Sequence, residues 1–495
     1  MRAGRPLLLG IDIGTSSSKA VVLTPSGVEL GHGSASHEVV SRENGHLEID
    51  PEAWWTSVSA AVCECRRGPE ASVGEIAAVG LSGQMHGAVL IDREGRVQRP
   101  AILWPDRRAA DQVQRLAGCE RGQVADLGGP AFPGMTGPLL AWLTDHEPAV
   151  LRRAAMVLQA KDFLRLRFTG KAATERTDAS GTLLYDLHTA NWSDWAVQHF
   201  GVDRGLLPPI GVSSNTAGPL TGPAAAALDL PAGLPVAYGA ADTAASLLGG
   251  GHLPPGEVRV TVGTGAQVVV KRDRPRPDPA GRYHVFAAAP DGFYALAAIQ
   301  AAGLALEWCW RVLGLDWRAA YAALQQAPEG AKGALFIPHL AGARSPWMIE
   351  SASGAWSDLR IDHERGDLVR AAFEGVAFSI REAAESLPEF ATAAEISLAG
   401  GGATERLWCQ LLTDVLAKPV LLDLQRDASA RGAALLGGMA TGLVSLTGPP
   451  ESAHHARFEP SAAAARLAEA YQRWVQRSQQ LRQEVMPPPL PAVDA

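Results

Sequence analysis

Two aspartates stand where a carboxylate could serve proton or phosphate chemistry. Asp242, in Gly239-Ala240-Ala241-Asp242-Thr243-Ala244, follows the strand-like stretch Pro235 to Tyr238 and precedes a run of small helix-forming residues. A carboxylate at such a strand end, facing a cleft, can accept the proton of a substrate hydroxyl as a general base. The same placement suits an aspartate that only caps its helix. Asp12 ends the apolar strand Leu7 to Asp12 and opens Asp12-Ile13-Gly14-Thr15-Ser16-Ser17-Ser18-Lys19, after which a second strand runs from Ala20 to Leu23. A Gly-Thr turn between strands offers backbone N–H groups and hydroxyls to a phosphate. Asp12 could hold Mg²⁺ through water, and Lys19 adds a compact positive charge. A polar hairpin with no ligand would read the same way.

The unit recurs half a sequence later. Val258 to Val262 is strand-like, Gly263-Thr264-Gly265 turns, and Gln267 to Val270 returns. Paired hairpins of this kind suit a nucleotide gripped between similar lobes. The chain has no G-x-x-x-x-G-K-[ST] loop, and Gly263-Thr264-Gly265 opens no helix as a dinucleotide fingerprint would. A further glycine run, Ala399-Gly400-Gly401-Gly402-Ala403, sits between the apolar Ile396 to Leu398 and a helical pattern from Leu407 to Leu416. It would let an adenosine approach the backbone, or equally let a helix pack tightly on a strand. Gln84-Met85-His86-Gly87 places an imidazole that can exchange hydrogen bonds with a sugar hydroxyl or ketone beside a thioether that can pack a carbon chain. Asp106, after a strand ending at Trp104, could accept from a hydroxyl.

These residues need elements to hold them. Besides the hairpins, Val28 onward reads as a third strand, Glu75 to Ser82 as another, and His86 to Asp92 as its continuation. Helical periodicity marks Pro51 to Cys65, Lys161 to Phe168, Asp367 to Leu387 and Ala462 to Val485. Alternation of strands and helices implies an α/β architecture. At 495 residues, more than one domain is expected. The expected divisions are 1–250 with the first hairpin, 251–460 with the second hairpin and the glycine run, and 461–495 for a helix and tail. A formal net charge of -8 speaks against a broad nucleic-acid surface. Five sparse cysteines form no disulfide framework, and Cys63 and Cys65 lack a second ligand pair at zinc spacing. Without a membrane-length apolar run or a signal-peptide pattern, the chain is expected to be cytoplasmic, with no membrane partner.

Taken in order, these stretches resemble the FGGY family of carbohydrate kinases and, within it, the xylulokinases. Gln84 to Gly87, Leu103-Trp104-Pro105-Asp106-Arg107, Lys161 to Leu166, Asp178-Ala179-Ser180-Gly181-Thr182 and Pro338 to Pro346 carry the likeness, which runs from Asp12 to about Gly438. The resemblance implies a two-lobed actin/hexokinase-like (ribonuclease H-like) fold with an interlobe cleft. It implies ATP and Mg²⁺ as donor and metal, a small sugar or polyol as acceptor, and a homodimer as the assembly. It places Asp242 as the catalytic base, with Met85, His86, Gln84, Asp106 and Thr243 on the sugar. Asp12, Thr15, Ser16 and Lys19 then form the first phosphate motif, Gly263 and Thr264 the second, and Gly401, Gly402 and Ala403 the adenosine contact. The activity implied is conversion of D-xylulose to D-xylulose 5-phosphate. A kinase for another ketopentose or pentitol, and a non-catalytic actin-like nucleotide-binding protein, are the alternatives. Thr243 replaces the asparagine usual in xylulokinases, Pro105 replaces an asparagine, and Leu139 and Asp358 replace a lysine and a glycine of the family signatures.

Overall fold

Strand β1 (Pro6–Ile13) is apolar on both faces, with Leu7, Leu8, Leu9, Ile11 and Ile13 all buried, as suits a strand between two helical layers. The computed structural model that contains it describes residues 6–41, 45–67, 75–251, 253–423, 425–445 and 456–485. β1 forms an antiparallel hairpin with β2 (Ser17–Leu23), and β3 (Glu29–Ser36) adds to β2 as a half-exposed edge. On its other side β1 pairs in parallel with β4 (Glu75–Gly83). Next come β5 (Thr216–Pro219) and β6 (Pro235–Ala237), giving the order β5-β6-β4-β1-β2-β3.

The second half builds a like sheet. β7 (Val258–Val262) and β8 (Ala266–Arg272) form its hairpin, followed by β9 (His284–Ala287), β10 (Phe293–Ile299), β11 (Ile396–Ala399), β12 (Val420–Leu422) and β13 (Ala456–Phe458). Its order is β9-β10-β8-β7-β11-β12-β13. In both sheets the first hairpin strand has a parallel neighbour on one side and its antiparallel partner on the other, and the far edge beyond the parallel strands is antiparallel.

The expected continuation of the first sheet through His86 to Asp92 does not occur. His86 (φ 65°) and Gly87 (φ 74°) both take left-handed backbone, which swings the chain out of the sheet. Only Val89–Ile91 is extended, and it pairs with Met156–Leu158 in a separate two-stranded sheet.

Helix α1 (Pro51–Cys65) covers one face of the first sheet with Trp54, Val58, Ala61 and Val62, and Asp50 caps it by accepting from the Glu52 N–H at 3.0 Å. α2 (Ala160–Thr169), α3 (Arg176–Ser180) and α4 (Asp242–Gly249) belong to this half. In the second half, α5 (Arg365–Glu385) is buried along most of its length, and α6 (Arg406–Leu416) packs beside it. α7 (Ala428–Ala440) lies within 251–460 yet packs on β1 and β4 of the first sheet, and on α4. α8 (Ala463–Val485) closes over the second half. Among the described residues no helix is long and apolar enough to cross a membrane. The five cysteines are free thiols.

The approach of α7 to α4 is backbone against backbone. A Cβ on Gly432 would lie 1.9 Å from the Ala245 carbonyl oxygen, and one on Gly249 would lie 1.9 Å from that of Ala428. Gly432→Ala must push apart the helix that begins with Asp242 and the helix behind it. It is expected to cost about 1–3 kcal/mol, the usual penalty for overpacking, and to lower both melting temperature and turnover. An unchanged melting temperature would show that the helices part without cost.

Candidate active site

Strand pairing alone brings the two aspartates together. Asp12 pairs with Ser82 across β1 and β4, and the short strand Ala240–Ala241 pairs with Ser82 and Gly83. Asp242 follows directly as the first residue of α4. Both carboxylates line a cavity of about 790 Å³, together with Lys19, Thr243, Thr261, Gln267 and Gly401. Burial pushes the Asp242 carboxyl up to about 7; the nearby charge of Asp12 adds to the rise, and the Thr243 amide and hydroxyl oppose it. That amide donates to Asp242 Oδ1 at 2.6 Å and the hydroxyl approaches the same oxygen at 3.3 Å. Burial likewise lifts Asp12 to about 6, against the Ser82 hydroxyl and Lys19, and with Asp427 adding to it. Asp12 Oδ1 is a buried acceptor without a protein donor. Two adjacent carboxylates with such an oxygen fit a divalent cation that shares its shell with water and phosphate oxygens. Among the described residues there is no group of three or more His, Cys, Asp or Glu side chains that could hold a metal ion.

The segment leading into Asp242 is tied down from behind. The Ala241 N–H donates to Thr177 Oγ1 at 2.8 Å, and that hydroxyl donates to Glu175 Oε1 at 2.7 Å. Glu175 also accepts from the Thr177 N–H at 2.8 Å and from the Ser213 hydroxyl at 2.7 Å. It belongs to a fully buried cluster in which Lys161 Nζ meets Asp162 at 2.5 Å and Asp178 at 3.1 Å, and Arg165 meets Asp162 at 2.8 Å. Arg165 donates to the Tyr238 carbonyl at 3.1 Å as well. Burial works against the Lys161 charge, but the carboxylates of Asp162, Asp178 and Glu175 outweigh it and raise the ammonium's pKa. Burial drives the Asp178 carboxyl well above its usual range, against the opposing charge of Lys161. Sequence reasoning did not find this support. Lys161, Asp162 and Arg165 share a helix with Phe163, Leu164 and Phe168 and carry no mark in the sequence of being inside.

On the phosphate side the expected residues divide. Asp12, Lys19, Asp242, Thr243 and Gly401 line the cavity; Thr15, Ser16, Gly263, Thr264, Gly402 and Ala403 are not among its lining residues. Lys19 Nζ donates to Asp427 Oδ1 at 2.7 Å, and His32 Nδ1 lies 3.0 Å from the other oxygen. Thr15 Oγ1 accepts from Trp104 Nε1 at 3.0 Å, and Ser16 is exposed. Gly263 and Thr264 are exposed at the hairpin tip, where the Thr264 carbonyl accepts from Ala302 and Leu304 N–H groups at 3.0 and 2.9 Å. In the glycine run, packing on the neighbouring strand accounts for two positions and one faces open space. Gly400 (φ 99°) is demanded by packing, since a Cβ there would lie 2.3 Å from the Val262 carbonyl oxygen. Gly402 donates to that oxygen at 3.0 Å and Ala403 is buried, while Gly401 has open space before it.

On the sugar side Met85 is packed, with its sulfur 3.5 Å from the Tyr294 hydroxyl. His86 Nδ1 donates to the Gly181 carbonyl at 2.5 Å, and its ring meets Phe132 edge-on. Burial holds His86 down to about 4, with the Arg344 charge adding and the Gly181 carbonyl opposing, so the imidazole is neutral. Gln84 Nε2 donates to the Gly14 carbonyl at 3.2 Å, which fixes the first hairpin turn. The role expected for Asp106 is corrected. It is 1% exposed, Oδ1 accepts from the Arg108 N–H and Nε at 2.9 Å each, and Oδ2 accepts from the Leu47 N–H at 2.7 Å and Arg108 Nη2 at 2.9 Å. With both oxygens doubly occupied in a buried ion pair, no acceptor remains for a sugar. Arg344 and His284, beside His86, and Asp427, beside Lys19, were not singled out from sequence. Asp358 has left-handed backbone (φ 57°), the conformation that accounts for a glycine in the family signature.

Known proteins match this arrangement. The profile of the FGGY family of carbohydrate kinases matches residues 7–249 with its N-terminal domain and 258–441 with its C-terminal domain. A xylulose kinase of Escherichia coli is 33% identical over 413 residues, covering 83% of this chain and 84% of that protein. One of Streptomyces rubiginosus is 34% identical over 470 residues, covering 92% of each. The crystal structure of a "xyloylose kinase" from Brucella ovis superposes with a TM-score of 0.87 at 31% identity, covering 96% of this chain and 99% of that one. The two-lobed fold is the actin/hexokinase-like fold.

The raised carboxyl at Asp242 has a consequence for stability. A folded-state pKa of about 7, above the ordinary value of 3.8, means that ionising Asp242 opposes folding. The wild type therefore loses stability between about pH 4 and 7, and Asp242→Asn escapes that loss. The variant is expected to melt higher at pH 8, by on the order of 2 kcal/mol of added stability, and to match the wild type near pH 4. An equal or lower melting temperature at pH 8 would contradict the burial of this charge.

Proposed function

Because the chain belongs to the FGGY family of carbohydrate kinases, we propose that it transfers the γ-phosphoryl group of ATP to D-xylulose, forming D-xylulose 5-phosphate. The observation that carries the reading is Asp242 itself. It is a carboxylate held near neutrality, in a cavity between two phosphate-type hairpins, beside a second carboxylate.

Phosphoryl transfer asks the protein for alignment and charge stabilisation more than covalent chemistry. Asp242 accepts the proton of the attacking hydroxyl, and a base with a pKa near the working pH is well matched to that task. Thr243 fixes the carboxylate by donating to Oδ1, and the Thr177–Ala241 hydrogen bond fixes the backbone that carries it. Met85 and His86 bound the sugar, with the neutral imidazole as hydrogen-bond partner. Asp12 would hold Mg²⁺ through water, and the bound ion would offset charge on the phosphates. Lys19 adds positive charge at the same mouth, shared with Asp427. Gly401 leaves room for a nucleoside. Closure of the lobes on sugar and nucleotide together would exclude water from the γ-phosphate.

A coupled ADP-release assay over pentoses and pentitols tests the substrate, and D-xylulose is expected to give the highest kcat/KM. Asp242→Asn is expected to lower kcat by about 10³-fold with nucleotide affinity retained. Near-normal turnover would remove Asp242 as base. The base must be ionised, so kcat/KM of the wild type should rise with pH through about 7. An acid limb near pH 4 would mean that Asp242 titrates as an ordinary carboxyl.

A further inference from the structure

Beside His86, one cation has no anion among the described residues. Arg344, on the loop after residue 340, has no carboxylate partner among the described residues; it contacts His284 and the face of Phe132, with the guanidinium carbon 5.2 Å from that ring. Burial alone lowers its pKa to about 10, so nothing nearby repays the loss of water around the charge. The loop is anchored rather than loose. The Ser345 N–H donates to the Ala298 carbonyl at 3.0 Å, and the Ser345 hydroxyl accepts from the Ala298 N–H at 3.0 Å.

The hydrogen-bond roles at this spot are fixed by their partners. An arginine can only donate, so His284 Nε2 accepts from Arg344 Nη2 at 3.3 Å and its lone pair is occupied. The Gly181 carbonyl can only accept, so His86 Nδ1 carries the proton and Nε2 is left as an acceptor. His86, Met85 and Tyr294 adjoin one another, and Tyr294 lies within the electrostatic reach of Asp242. Arg344 therefore stands at the His86 end of the proposed sugar site, with donors to spare, and the one free acceptor identified beside it is the single lone pair of His86 Nε2. An oxygen facing it should be acceptor-only. A ketone oxygen meets that condition, whereas an alditol hydroxyl there would bring a second O–H to compete for the one lone pair of His86 Nε2. The neighbouring His86 Nε2 can take the O–H of an adjacent carbon.

We infer that Arg344 and His86 together read an α-hydroxy ketone, with Arg344 as the specificity-determining residue that selects ketoses over alditols of the same carbon chain. The inference rests on the sugar-kinase reading above and names its substrate class.

The test measures kcat/KM of the full chain for D-xylulose, xylitol, D-arabinitol and D-xylonate at saturating ATP. D-xylulose is expected to exceed each alditol by about 30-fold or more, as for loss of a hydrogen bond to a charged group. Arg344→Met should bring that ratio close to one. Arg344→Gln, which restores an acceptor at the same place, should shift the ratio toward the alditols and serves if the methionine variant does not fold. An unchanged ratio in a variant that melts like the wild type overturns the role of Arg344. So does a wild type that prefers an alditol or the sugar acid, the latter showing that the charge awaits a carboxylate. ADP release with none of the sugars would overturn the kinase reading itself, and this inference with it.

Discussion

Two carboxylates set side by side in a half-buried cavity wall repel each other and lose part of their water, yet Asp12 and Asp242 are held in that relation by the register of adjacent parallel strands. Much of the surrounding structure can be understood as what is needed to keep them there. The backbone of Asp242 hangs from Thr177 and, through Glu175, from a buried ion cluster whose two cations are matched by carboxylates. Behind it, α4 touches α7 backbone to backbone, so the helix that carries the base cannot shift without disturbing the first sheet. The raised carboxyl pKa values of both follow chiefly from their desolvation.

The cleft follows from repeating one sheet. Each half places a hairpin beside a parallel strand, and residues of both hairpins, Asp12 and Lys19 of the first and Thr261 and Gln267 of the second, line one cavity. The chain does not simply run through one lobe and then the other. α7 returns from the second half to the first sheet, and a core cluster joining Met85, Ala241 and Ala244 to Phe286 and Tyr294 spans both halves beneath the cleft. That shared floor puts residues from the second half, Tyr294, His284 and Arg344, against the sugar side of the first.

Local signals made the hairpins, the main strands and the two aspartates legible in the sequence, because each is a short pattern: an apolar run, a glycine turn, a polar residue at a strand end. The same logic misplaced Asp106, since an aspartate after a strand looks alike whether it waits for a sugar or is already held by Arg108 and the Leu47 amide. It also read the His86 to Asp92 stretch as one strand. The two left-handed residues that break it are a glycine and a histidine, and only the glycine announces such a turn.

By itself, then, the sequence determined the α/β class and the two strand–Gly-Thr–strand hairpins, properties that depend on neighbours within a few residues. The tertiary structure alone decided which polar groups meet partners from distant segments. Asp106 is neutralised by Arg108 and the Leu47 amide, Lys161 is surrounded by three carboxylates, and Arg344 is left with none. The chemistry of a charged side chain is set by its desolvation and its counter-charge, and both are supplied by residues far away in the chain.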